Sequence, residues 1–161
     1  MAIYDRYYKA MYNTAYRIVN NTDDAEDVMQ EAFIKAFAKL QSFKAKSTFG
    51  AWLKRITVNE SLTWLKKNNK YAIDNIEKYP DEIVEEEPID LHQQSETVQE
   101  ILQAINRLKT NYKLAITLHL IEGYDYEEIM QIMNVSYDNI RVIMSRAKKN
   151  LKQELQKSEI L

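Results

Sequence analysis

Two glycines and two prolines in 161 residues leave this chain few places to turn sharply. Hairpin-rich folds draw their turns from Gly, Pro, Asn and Asp. The scarcity therefore points to long helices joined by few loops, and the expected fold class is all-α. A hydrophobic content of 45% and a charged content of 29% give a globular balance, and the length suits one ordinary domain or two small ones. No cysteine is present, which excludes disulfides and thiolate zinc sites and is compatible with a reducing compartment. The two histidines, His92 and His119, stand far apart, so no His-rich metal site is expected. No apolar run approaches the roughly 18 residues that span a bilayer, and Met1 to Lys9 lacks a signal-peptide apolar core. The expectation is a cytoplasmic protein without membrane insertion.

The net charge of −2 hides a strong pattern. Residues 1–68 carry 11 Lys/Arg against 7 Asp/Glu, residues 69–96 carry 2 against 9, and residues 97–161 carry 9 against 8. Acid is thus concentrated in one segment between two neutral-to-basic blocks. That segment contains Pro80, Pro88 and the run Glu85-Glu86-Glu87, which read as a self-repelling linker; Ile73, Ile76, Tyr79 and Ile83 are its apolar points. The expected organisation is a helical domain over 1–68, an acidic linker over 69–96 and a second helical domain over 97–161.

The first block reads as three helices. Tyr4, Tyr7, Tyr8, Met11, Tyr12, Ala15, Tyr16 and Val19 recur at helical spacing. Asn20-Asn21-Thr22 interrupts them, with Thr22 the expected N-cap and Asp23 and Asp24 in the next first turn. Ala25, Val28, Met29, Ala32, Phe33, Ala36, Phe37 and Leu40 then form one apolar stripe. After a polar loop from Gln41 to Ser47, Ser47 or Thr48 caps a third helix over about 49–67, with Phe49, Trp52, Leu53, Ile56, Leu62 and Leu65 inward. The last block reads as four helices, about 97–108, 110–121, 125–133 and 136–157, with Gly123 suited to a C′ position.

Asp125 to Leu155 has the layout of a helix-turn-helix. Asp125 and Glu128 match a capping box, Ile129, Ile132 and Met133 face inward, Asn134 supplies a left-handed turn and Ser136 caps the next helix. That helix sets Ile140, Ile143, Met144, Ala147, Leu151 and Leu155 on one side and Arg141, Ser145, Arg146, Lys148, Lys149 and Lys152 largely on the others. A basic outer face on the second helix is what places it in a major groove. An ordinary helical hairpin with a solvated charged face has the same pattern, and Met130 and Asn134 stand where such motifs usually have a small residue and Gly.

Three stretches taken together carry a resemblance. Asp24 to Phe33 (DAEDVMQEAF) resembles the polymerase-clamp-binding helix of bacterial RNA polymerase sigma factors. Phe43 to Asn59 (FKAKSTFGAWLKRITVN) resembles the loop and helix with which the extracytoplasmic-function class reads and melts the −10 element. Asn139 to Leu151 (NIRVIMSRAKKNL) resembles the end of that class's −35-reading helix. The order, spacing and acidic linker fit, over nearly the whole chain. The family loop often has Gly where Ala45 stands, and its recognition helix often has small polar and basic residues where Val142 and Ile143 stand.

The resemblance implies a region 2 domain and a region 4 domain, a non-enzymatic role and no cofactor or metal. It implies core RNA polymerase (clamp and flap), promoter DNA and an anti-sigma factor as partners. Its polymerase-binding residues are Asp24, Asp27, Gln30 and Glu31, an acidic stripe suited to a basic coiled coil; helix-dipole stabilisation of about 0.3–1 kcal/mol each also accounts for Asp23 and Asp24. For the −10 element it points to Lys44, Lys46, Lys54 and Arg55 as charge on the backbone and Ser47, Thr48 and Asn59 as hydrogen-bonding groups. Core packing accounts for Phe49 and Trp52, and for the tyrosines of the first helix; Trp64, beside Lys66 and Lys67, packs on duplex or forms a solvated edge. For the −35 element it points to Ser136, Tyr137, Asn139, Arg141, Ser145, Arg146 and Lys149. Two promoter elements about two helical turns apart lie roughly 70 Å along DNA, and the linker reaches at most about 90 Å extended but about 30 Å as a coil, so it bridges them only when stretched. Two rival functions share much of the pattern: a one-component helix-turn-helix regulator with a sensing or dimerising N-terminal domain, and a helical interaction protein that never touches DNA. No nucleophile–base pair or phosphate-binding loop appears.

Overall fold

Helix α1 (Ala2–Val19) ends where Asn20 takes φ 58°, a left-handed conformation that Asn tolerates better than most residues. The structure is a computed structural model that describes residues 2–68 and 98–160. The chain divides into two compact units, Met1–Ile73 and Asp74–Leu161. The acidic linker expected over 69–96 lies outside the described residues. Among the described residues there are seven α-helices and no strand, as the shortage of turn formers requires, and no helix is long and apolar enough to cross a membrane.

In the first unit, α1, α2 (Thr22–Ala38) and α3 (Phe49–Lys67) each pack on the other two. Met11, Met29, Phe33, Ala36 and Leu53 form the shared core, flanked by half-buried Tyr4, Tyr7, Tyr8, Tyr12, Phe49, Trp52 and Ile56. The tyrosines of α1 are packing groups, as expected: Tyr4 stacks on Tyr8 at 5.6 Å and meets Phe33 at 4.9 Å. Thr57 and Ser61 are buried on α3, and their hydroxyls donate back to Leu53 O at 3.0 Å and Thr57 O at 2.8 Å, which satisfies them within the helix.

Two local expectations are corrected. The N-cap of α2 is Asn21, not Thr22: Asn21 is extended (φ −143°, ψ 133°) and its side chain accepts from Asp24 N, whereas Thr22 already has its place in the first turn. Phe37 and Leu40 do not complete the buried stripe. The helix stops at Ala38, a short 3-10 turn Leu40–Ser42 follows, and the two side chains are 40% and 42% exposed.

In the second unit, α7 (Tyr137–Ile160) is the spine against which α4 (Val98–Asn106), α5 (Thr110–Ile116) and α6 (Tyr126–Met133) pack. Its Ile140, Ile143, Met144, Ala147, Leu151 and Leu155 are all buried, as are Ile129, Ile132 and Met133 of α6. The expected helix over 110–121 is not uniform: α5 widens at Thr117–Ile121 into a π-turn. There Glu122 N donates to Thr117 O at 3.0 Å and Tyr124 N to Leu118 O at 3.0 Å, closing over Gly123 at φ 81°. Only glycine takes that conformation without strain. Arg107 Nε donates to Glu154 Oε2 at 2.9 Å, joining the end of α4 to the late half of α7; this hydrogen bond holds the Glu154 carboxyl below the usual range.

Candidate nucleic-acid interface

The turn between α6 and α7 is built by three capping devices. Asp125 Oδ1 accepts from Glu128 N at 2.8 Å while Glu128 Oε1 accepts from Asp125 N at 3.1 Å, the reciprocal box that fixes where α6 starts. Asn134 takes φ 56°, ψ 51°, and Val135 N donates to Met130 O at 3.1 Å. Ser136 Oγ then accepts from Asn139 N at 3.2 Å. The half-buried Met130 and the left-handed Asn134 thus complete the turn without the small residue and glycine usual there.

Along α7, Tyr137, Arg141, Ser145 and Lys149 follow one another at four-residue steps and share one side of the helix. Asn139 and Arg146, seven apart, form a second row on another flank. Ser136, Tyr137 and Lys149 are exposed, while Asn139, Arg141, Ser145 and Arg146 are half-buried. The Arg141 guanidinium lies 5.9 Å from the centre of the Tyr137 ring, so an aromatic face lies beside it near the N-terminal end of the helix. Val142 and Ile143 are buried, which removes both from any surface contact in this conformation. A neighbouring tie was not legible in the sequence: Lys148 Nζ donates to Tyr126 Oη at 3.2 Å, and the Tyr126 ring packs 5.1 Å from His119, whose Nδ1 donates to Tyr124 O at 2.8 Å.

In the first unit, residues Lys44 to Thr48 form an exposed loop whose ends are pinned to an aromatic cluster. Phe43 lies 5.2 Å from Trp52 and 5.8 Å from Phe49, and Tyr7 of α1 lies 5.5 Å from Phe49. The helices approach so closely that a Cβ on Gly50 would meet Tyr7 Cε1 at 3.1 Å. Of the two expected caps, Thr48 makes the bond, its Oγ1 accepting from Ala51 N at 3.2 Å, while Ser47 Oγ donates to Thr48 O at 3.3 Å. Lys44 and Lys46 flank Ala45, which takes φ 54°. A side chain there costs about 1–2 kcal/mol of backbone strain. Ala45→Gly is therefore expected to raise stability by about 0.5–1 kcal/mol, net of the greater freedom of glycine in the unfolded chain, and thermal unfolding of the two proteins measures it.

Arg55 and Asn59 stand one helical turn apart on α3, and the exposed Thr63 and Lys66 continue their row. Lys54 does not join it: five residues before Asn59, it points about 140° away around the helix. Both Lys54 and Arg55 are engaged within the protein. Ser47 and Thr48 thus lie at the start of α3 beside the lysines of the loop, Arg55, Asn59, Thr63 and Lys66 form one row along the helix, and Lys54 points away from that row.

On α2, Asp27, Gln30 and Glu31 are exposed, and Asp24 is half-buried with its backbone amide taken by the Asn21 cap. The stripe continues into apolar groups, Ile34 at 62% exposure and Phe37 at 40%. The signal for Ile34 was present, an isoleucine at helical spacing on an otherwise polar face. An acidic patch running into exposed apolar side chains is suited to a protein partner, whose contact centre is desolvated.

Residues 3–71 match Sigma-70 region 2, and residues 98–151 match Sigma-70, region 4. The ECF RNA polymerase sigma-E factor of Escherichia coli is 34% identical over 142 residues, covering 83% of this chain and 74% of that protein. The chain belongs to the extracytoplasmic-function class of RNA polymerase sigma factors. The ECF RNA polymerase sigma factor SigE of Mycolicibacterium smegmatis is 30% identical to this sigma factor over 149 residues, 91% of this chain but 58% of that relative's length. Among solved structures, the sigma factor RpoE in complex with the anti-sigma factor NepR, from Bartonella quintana, is similar with a TM-score of 0.64 and 26% identity, covering 96% of this chain and 95% of that one. The helix-turn-helix therefore belongs to a sigma factor, and a one-component regulator is not favoured.

Proposed function

We propose that this sigma factor binds core RNA polymerase, directs it to specific promoters and opens the DNA at the −10 element. In this reading the domain over 1–68 engages the clamp through Asp24, Asp27, Gln30 and Glu31, joined by the exposed Ile34 and Phe37. Its loop and α3 hold the −10 element through Lys44, Lys46, Ser47, Thr48, Arg55 and Asn59, with Lys54 contributing charge from the side. The domain over 97–161 binds the polymerase flap and reads the −35 element through Ser136, Tyr137, Asn139, Arg141, Ser145, Arg146 and Lys149. Residues 69–96 tie the two together. Binding energy and strand capture do the work, with no covalent step, in the cytoplasm. An anti-sigma factor holds the protein inactive; the Bartonella RpoE, solved with NepR, supports this.

The observation that carries the reading is that one chain bears two separate cationic surfaces, a lysine loop on an aromatic base and a basic helix after a turn, beside an acidic stripe of protein-binding character. Run-off transcription with core polymerase over random promoter sequences tests it. Transcripts from templates sharing two elements about two helical turns apart are expected; transcripts independent of the sigma factor, or none, overturn it.

A further inference from the structure

Helix α3 is basic except at one place. Between Phe49 and Lys67 it carries Lys54, Arg55, Lys66 and Lys67 but a single acid, Glu60. Glu60 directly follows Asn59 but stands about 100° round the helix from it, on the flank toward α2, beside the row that includes Arg55, Asn59 and Thr63 rather than in it. A bare carboxylate there opposes the holding of a phosphate backbone. It is not bare: Lys35 of α2 reaches across and donates from Nζ to Glu60 Oε1 at 2.5 Å. The Glu60 side chain is 13% exposed and that of Lys35 43%, so the acid is the sheltered partner and the base the solvated one. Lys35 also lies one turn from Glu31, the last acid of the clamp-facing stripe, and the hydrogen bond to Glu60, with attraction from Glu60 and Glu31, raises its pKa above the ordinary lysine value.

We propose that Lys35 is a positioning residue for promoter opening, which holds Glu60 in an ion pair and so keeps the only acid of α3 from repelling the DNA strand along Arg55, Asn59 and Thr63. The proposal rests on the assignment of that face to the −10 element. A surface ion pair contributes little to stability as such. Its effect lies in the field it removes, since one unpaired charge within a Debye length of phosphates acts on every DNA complex the face makes. The pair joins α2 to α3, and Lys35 itself is outside the stripe of Asp24, Asp27, Gln30 and Glu31.

The test uses the full chain with core polymerase on a promoter recovered by the run-off selection. Lys35→Met, Glu60→Gln and the double variant are compared with wild type for core affinity, thermal midpoint and open-complex formation, followed by fluorescence of 2-aminopurine in the −10 region. Lys35→Met is expected to lower open-complex formation roughly fivefold at low salt, the effect of one unmasked charge at a hydrated surface. The defect fades at high salt, core affinity is unchanged, and adding Glu60→Gln restores opening. Glu60→Gln alone opens the promoter at least as well as wild type. The proposal is overturned if Lys35→Met opens DNA normally, or if Glu60→Gln alone is as defective as Lys35→Met, which would make the pair a structural tie between helices. A wild-type protein that binds core but yields no transcript in the run-off selection overturns the −10 assignment itself, and the masking role with it.

Discussion

Replacing Asp27 and Glu31 together by lysine is expected to weaken binding to core RNA polymerase on the order of 100-fold, the effect of reversing two charges in complementary contact with a partner. Both side chains are exposed on α2, and neither caps a helix, so the thermal midpoint should stay close to wild type. The loss should shrink at high salt, because rim charges act through a screened field. Asp23→Ala is the control, since Asp23 stands in the first turn of α2, where the helix dipole accounts for it. Fluorescence anisotropy of labelled sigma factor titrated with core measures both. Unchanged affinity in the double variant would remove the clamp role from this stripe and leave it a solvated face.

The second large effect concerns the two kinds of contact that α7 makes. Arg141 is held against Tyr137 near the helix start, the position for a bidentate contact to a base edge. Arg141→Ala should cost about 1–3 kcal/mol and relax the sequence requirement at one position of the −35 element. Lys149 is exposed two turns further along, where a phosphate contact is expected. Lys149→Ala should weaken binding alike on all sequences and lower the salt slope by about 1. Reversing Arg141, Arg146 and Lys149 together should abolish −35-dependent transcription. Binding of the holoenzyme to a panel of −35 variants at several salt concentrations separates the two; a uniform loss in Arg141→Ala would assign that residue to the backbone as well.

The features legible in the sequence were those fixed by local physics. The capping box at Asp125 and Glu128, the left-handed Asn134 and the Ser136 cap depend on residues within one turn of each other, and the structure has all three. The inward faces of α6 and α7 followed from helical spacing, because one stripe packs against one core. What failed depended on partners distant in sequence or on competition between neighbours. Asn21 and Thr22 are both good caps, and nothing in the order of the letters says which is extended. Phe37 and Leu40 fit the apolar period but lie where α2 has already left the core. The π-turn at Thr117–Ile121 keeps an apolar pattern that an unbroken helix also explains. Lys54 and Arg55 looked equivalent as adjacent bases, yet a helix turns neighbours about 100° apart. The Lys35–Glu60 pair joins residues on different helices and left no trace in either local pattern.

Affinity for a selected promoter fragment, measured for this sigma factor alone and then with core polymerase present, addresses the central claim most directly. Weak binding by the free protein and tight, sequence-dependent binding with core is the predicted result. Equally tight and equally specific binding without core would contradict it.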